Sequence, residues 1–144
     1  MKLRDFLVAE DIRSEFGNKH SVIGIFGDSI TITVPVLPAM TRLAFFIRLD
    51  FGPSDPETFG FEFKIFWNDQ DFAGFGGTGV RGPGDAIVTL PLIANLLTFP
   101  NSGTLNFRLR VTESPGKALL ERDLGPVSVT VTPTAPTPAA STAA

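Results

Sequence analysis

Large apolar residues occupy every second position from Phe59 to Trp67. A period of two is typical of a β-strand with one buried face and one solvent face. Further segments repeat this alternation at 45–51, 105–112 and 127–132. With the turn residues between them, the pattern predicts about eight or nine short strands. Parallel strands would need helical crossovers, so the fold class predicted is all-β, a single antiparallel β-sandwich of immunoglobulin-like or related topology.

Turn residues predict how several strands connect. Gly17-Asn18 indicates a hairpin turn, because both residue types tolerate positive φ. Gly27-Asp28 predicts a two-residue type II′ hairpin, in which Ile25 would face Ile30 on the buried side of one sheet. The segment 93–99 is ambiguous, because its apolar spacing also fits one turn of helix.

The alternation also predicts the core and one hairpin register. A two-residue Pro115-Gly116 loop would place Arg108 opposite Asp123 and Arg110 opposite Glu121, whereas a four-residue loop would pair Arg108 with Glu121. Either register leaves the arginines facing carboxylates on the solvent side. Ten residues are expected to be largely buried: Phe45, Ile47, Leu49, Phe61, Phe63, Trp67, Phe107, Leu109, Val129 and Val131.

Length and composition limit the function classes. The 144 residues suit one domain. We place the domain at 1–132 and a flexible tail at 133–144, since the tail contains only Pro, Thr, Ala and Ser. A net charge of −3 argues against nucleic acid and anionic membranes as partners. Without an apolar leader or spanning segment, a cytoplasmic location is expected, with a virion as the alternative.

The glycine-rich stretch from Gly74 to Gly84 is the main candidate for ligand chemistry. Residues 74–79 match G-x-G-x-x-G, but no helix can follow them to bind a pyrophosphate, so we expect a connecting loop and no cofactor. Arg81 in this loop is a candidate for holding an anion. Asp69, Asp71 and Asp85 supply fewer oxygens than calcium requires, so no metal is expected.

The segment 11–28 carries a family resemblance. It reads Asp-Ile-Arg, then Glu15, a Gly-Asn-Lys turn and Ser-Val-Ile-Gly. In this it resembles a family of small bacterial proteins of unknown function, which often have a second glycine where Asn18 stands. The later Gly103-Thr104-Leu105-Asn106-Phe107 is also similar to a strand start of that family. The resemblance implies a compact β domain and brings no activity or ligand.

Three functions remain open from the sequence. The chain has no cysteine and one histidine, His20, with no serine placed to pair with it, so we do not expect an enzyme. The preferred hypothesis is a structural or protein-interaction module that binds a protein partner or itself. The alternative is a small-ligand or carbohydrate-binding sandwich using Asp69, Asp71, Arg81 and Asp85. A further alternative is a minor structural component of a phage or other assembly.

Overall fold

The computed structural model describes residues 1–113 and 116–134, and every regular element in them is a β-strand. The predicted tail from 135 onward, and Ser114-Pro115, lie outside the described residues. The nine strands are β1 (Lys2–Glu15), β2 (Lys19–Phe26), β3 (Ser29–Val34), β4 (Ala39–Asp50), β5 (Thr58–Trp67), β6 (Gln70–Val80), β7 (Ile87–Phe99), β8 (Gly103–Glu113) and β9 (Lys117–Pro133).

The strands form two sheets that pack face to face, which confirms the predicted all-β sandwich. One sheet has the order β2-β1-β4-β7 and the other has the order β3-β9-β8-β5-β6. Neighbours pair antiparallel except β3 and β9, which run parallel. Four strands therefore end a sheet, namely β2, β7, β3 and β6.

The parallel β3–β9 pair explains why the predicted Gly27-Asp28 hairpin is wrong. The chain changes sheets at these two residues, because β2 pairs with β1 in one sheet and β3 pairs with β9 in the other. Ile25 is therefore exposed, whereas Ile30 is buried in the core. A turn predicts only a local reversal, and the partner that β3 gains from the far end of the chain decides its sheet.

The core lies between the sheets and confirms the predicted strand phase. Nine of the ten residues expected inside are buried, and Phe61 is half-buried. Phe63 and Phe107 stack with ring centroids 5.7 Å apart, and Phe45 lies 5.1 Å from Phe63. A smaller cluster forms where Ile12 packs with Ala44 and Phe46.

The turn predicted at Gly17-Asn18 and the arginine pairing predicted in the β8–β9 hairpin are both confirmed. Gly17 and Asn18 have φ values of 80° and 58° between β1 and β2, as the turn prediction required. In the β8–β9 hairpin, Arg108 lies opposite Asp123 and Arg110 opposite Glu121. The predicted loop length is wrong: Glu113 lies opposite Lys117, so three residues separate the paired ends and not two or four. A register shift beside Thr112 restores the predicted phase along the rest of the hairpin.

Three segments belong to strands although the alternation does not assign them to one, and the loop predicted from Gly74 is therefore wrong over 74–80. The segment 93–99 is the second half of β7, so the helical turn does not form. β9 is continuous from Lys117 to Pro133, so it includes the first residue of the predicted tail. The next residue, Thr134, donates its amide hydrogen to the carbonyl of Val34 at 2.6 Å. Residues 74–80 belong to strand β6 and not to a loop. In the described part of the chain, no helix is long and apolar enough to cross a membrane.

Candidate interaction site at the β6 edge

The four residues predicted to bind a ligand lie in two separate places. Asp69 is in the turn before β6 and Asp71 is in its first residues, whereas Arg81 and Asp85 follow its last residue. At about 3.3 Å per strand residue, roughly 30 Å separates Asp71 from Arg81. Among residues 1–113 and 116–134, no three His, Cys, Asp or Glu side chains are grouped so that they could hold a metal ion.

Arg81 connects chain segments and is not presented to an anion. One terminal nitrogen donates to the carbonyl of Asp85 at 3.2 Å, and the other donates to the carbonyl of Asp55. The guanidinium also lies 5.2 Å from the ring centroid of Phe51, a cation–π contact. Its Nε is buried without a hydrogen-bond partner. The arginine therefore fastens the chain after β6 to the loop before β5.

Asp55 belongs to the same arrangement. Its carboxylate accepts a hydrogen bond from the Gly52 amide at 2.7 Å. Burial alone would raise the pKa of the Asp55 carboxyl. The Gly52 hydrogen bond and the positive charges of the Met1 amino group and Arg81 together lower the pKa by more than burial raises it. The net shift is downward, so this carboxylate stays ionised and holds the turn at 52–55.

His20 shares an open cleft of ≈ 250 Å³ with Arg81 and Asp85, between the β1–β2 turn and the chain after β6. Its ring lies 6.0 Å from the ring centroid of Phe46 in an edge-to-face contact. In the described chain, His20 makes no hydrogen bond to a serine, as a nucleophile–base pair would require.

A second groove, of ≈ 390 Å³, lies on the outer face of the five-stranded sheet and is not among the sites that the sequence predicts. Arg108 is central to it, donating to Asp123 at 2.8 Å and lying 5.7 Å from the ring centroid of Phe66. The hydrogen bond to Asp123 raises the pKa of Arg108. The predicted pairing of Arg108 with a carboxylate is the signal that could have located the groove. Because its charge is already paired, the groove does not present a free basic surface.

The glycines of β6 are explained by packing. Phe59 lies opposite Gly79 and Phe61 opposite Gly77 on the inner face. A Cβ built on Gly79 would fall 2.3 Å from the Phe59 ring, and one on Gly77 would fall 3.3 Å from the Phe61 ring. Aromatic rings from β5 therefore lie where side chains of β6 would stand, as in other aromatic–glycine pairs across strands.

The outer face of β6 carries few and small side chains. Gly74, Gly76, Thr78 and Val80 are exposed, and a Cβ on Gly74 or Gly76 would meet only ordinary contacts at 3.4 or 3.6 Å. These glycines are therefore not required by steric crowding. They leave the main chain of the edge accessible from the outer face.

The main-chain groups of these outward residues point away from the sheet. The Arg81 amide, directly after β6, donates to the Glu57 carbonyl at 2.8 Å. Hydrogen-bonded pairs alternate along an antiparallel ladder, so residues 75, 77 and 79 bond to β5 in the observed register. The amides and carbonyls of Gly74, Gly76 and Thr78 then face outward, and no strand in the described part of the chain pairs with them.

The other three sheet edges carry features that hinder strand addition. β7 contains Pro91 at mid-strand and a register shift near its end. β3 has six residues and is followed by Pro35, and β2 contains Gly24 at a φ of 65°. From Ala73 to Val80, β6 has a continuous register, no proline and no charged residue. It lacks the charges, prolines and distortions that protect natural edges.

Comparison with known proteins adds no functional information to this geometry. A scan against protein-family models found no match to the chain, and a search of curated proteins found none either. The resemblance of residues 11–28 to a small bacterial family therefore stays a prediction.

Proposed function

We propose that this protein is a non-enzymatic interaction module that binds an extended protein segment by strand addition at β6. The unprotected stretch from Ala73 to Val80 is the observation that carries the proposal. Strand addition to an exposed edge takes its affinity from main-chain hydrogen bonds and its specificity from alternate side chains. β6 supplies both, since its outward amides are unpaired in the described chain and its outer side chains are small.

The rest of the sandwich supports a scaffold role. β8 lies between β5 and β9 in one sheet, and β4 pairs with β7 in the other. This corresponds to strand F between C and G, and to strand B beside E, in an immunoglobulin-like sandwich. We therefore propose an immunoglobulin-like topology to which β1 and β2 add a hairpin. A structural subunit of a larger assembly would use the same edge.

A small-ligand site at 68–85 has less support. Its acidic residues lie at one end of β6, its arginine lies at the other, and the arginine already donates to two carbonyls. The flat edge between them offers main-chain groups to another chain and no enclosed cavity to a small molecule.

A peptide selection tests strand addition directly. The protein, immobilised at high dilution, would be panned against a random peptide library, and the enriched peptides titrated against two variants. Thr78→Pro removes one outward amide from the edge, whereas Thr78→Val keeps it and preserves the β-branched side chain. We expect enriched peptides with alternating apolar residues that bind the wild type and Thr78→Val equally and bind Thr78→Pro at least tenfold more weakly. Peptides that bind both variants equally, or no enrichment at all, would contradict the proposal.

A further inference from the structure

We infer that one segment recognised by the β6 edge is β6 of a second copy of this chain, paired antiparallel about a two-fold axis through Gly76. The inference rests on the proposed strand addition and names its partner. Two independent features favour a second copy in this register. One is the pair of charged residues that flank the uncharged stretch of β6, and the other is the size of the side chains within it.

The charged residues that flank the uncharged stretch of β6 are self-complementary. Asp71 and Arg81 are the charged residues nearest to its uncharged stretch, and each lies five positions from Gly76. An antiparallel copy centred on Gly76 brings the Asp71 end of one strand near the Arg81 end of the other. Arg81 keeps its hydrogen bonds to the carbonyls of Asp55 and Asp85, so the attraction is between the charged ends of the two strands and not a direct ion pair. A parallel copy in register would instead bring like charges together, which is unfavourable across a strand pair.

The side-chain sizes select the same register. Phe75 is the one bulky inward residue from 73 to 80, and it is half-buried although its ring lies 6.4 Å from those of Phe45 and Phe63. Centring the pair on Gly76 places Phe75 opposite Gly77 of the other copy, which has no side chain of its own and is flanked by the Phe61 ring. A shift that centred the pair on Phe75 would oppose two phenylalanine side chains.

The hydrogen-bonding phase is compatible with this pair. The amides and carbonyls of Gly74, Gly76 and Thr78 face outward, and the register places each of them opposite another member of this set. Each such pair exchanges two main-chain bonds, so about six bonds would join the copies. Because both strands end their own sheets, the product is one sheet that continues through two molecules, with an isologous, closed interface.

Charge substitutions at the axis test both the partner and the register. In a dimer of Gly76→Lys, the two lysines lie opposite each other across the axis. In a dimer of Gly76→Glu, two glutamates lie opposite each other. A mixture of the two variants forms dimers in which a lysine lies opposite a glutamate. By sedimentation equilibrium we expect wild-type dimers of twice the 15.5 kDa chain mass. Each single variant should associate roughly fivefold more weakly or worse, since opposed like charges destabilise a strand pair. The mixture should recover the wild-type affinity.

Gly74→Lys is the matched control, because its lysine would face Thr78 of the other copy and should change the dimer affinity little. A wild type that stays monomeric at all concentrations would overturn the second-copy inference. A dimer that Gly76→Lys leaves unchanged would overturn it too, because the interface would then lie elsewhere. In either case, peptides that lose affinity for Thr78→Pro would still support strand addition, so the two failures can be told apart.

Single cysteines test the register independently, since the chain has none of its own. Opposed residues in a hydrogen-bonded pair have Cα atoms about 5.5 Å apart, which suits a disulfide. Under mild oxidation, Gly76→Cys should cross-link to itself and Gly74→Cys should not, whereas Gly74→Cys combined with Thr78→Cys should cross-link again. Equal cross-linking of the two single variants would overturn the register.

Discussion

Strands β6 and β7 are consecutive in the chain and both end a sheet on the same flank of the sandwich, where Phe72 lies 5.4 Å from Phe99. Both lack charged residues over most of their length. β7 is held by its own apolar side chains, including Leu90, Leu97 and Phe99 in the core. β6 adds only Phe72, Ala73 and Phe75 to the margin of the core, and rings of β5 cover its glycines at 77 and 79. An edge strand whose glycines are covered by its neighbour's side chains can leave its own outward amides and carbonyls accessible to another strand.

The two edges also differ in whether their main chains can pair with a strand of another molecule. β7 interrupts its ladder with Pro91, which has no amide to donate. β6 has no interruption between residues 73 and 80. Aggregation risk alone would favour a protected edge at both positions. The contrast therefore supports a binding role for β6 and a blocked edge at β7.

The largest expected effect comes from the ring that anchors β6. Phe63 is fully buried, lies opposite Phe75 and contacts the rings of Phe45 and Phe107. Phe63→Ala should cost about 3–5 kcal/mol in denaturant unfolding, from lost transfer energy and a cavity. Amide exchange should accelerate more in β6 than in β7, because Phe63 lies directly opposite Phe75 and β6 pairs with the strand that carries Phe63.

Phe66→Ala is the control for that experiment, since Phe66 is half-buried on the outer face of the same strand. It should cost less than Phe63→Ala and leave the exchange of β6 unchanged. A loss below about 1 kcal/mol for Phe63→Ala would be inconsistent with a buried ring. Equal acceleration in both strands would remove the distinction between them.

The next effect separates the two faces of β6. Gly79→Ala would place its Cβ 2.3 Å from the Phe59 ring, which must then move. Overpacking of this kind typically costs about 1–3 kcal/mol. Gly74→Ala meets only the Phe63 carbonyl at 3.4 Å. It should change the free energy of unfolding by less than about 0.5 kcal/mol.

Denaturation midpoints of these two variants, measured at constant m-value, give the comparison. If both alanines cost the same, the Phe59 ring would not be the reason that position 79 requires a glycine. If Gly74→Ala were the more costly, the inner and outer faces would be assigned the wrong way round.

How far the sequence predicts this molecule depends on which interactions fix each element. β5 and β8 follow from alternation alone, because their side chains carry the burial pattern. The Arg108–Asp123 register also follows, since a shift by one residue would bury acids in the core. The sequence from Gly74 onward predicts a loop, because the four glycines of β6 erase the side-chain pattern and its strand depends on pairing with β5. The candidate ligand residues lie in two places for the same reason, since a strand separates Asp71 from Arg81.

The smallest effect on stability is expected at the edge that is already blocked. Pro91 is exposed on β7, so Pro91→Thr should change the free energy of unfolding by less than about 1 kcal/mol. It would, however, restore an amide within an uncharged run from Ile87 to Phe99. A long uncharged edge with high β-propensity is an aggregation site.

Light scattering during heating should therefore rise earlier in Pro91→Thr than in the wild type, whereas Thr98→Val, on the same strand, should leave its onset unchanged. If Pro91→Thr scatters no more than the wild type, proline does not protect β7, and its contrast with β6 would have to rest on the register shift near Asn95 alone.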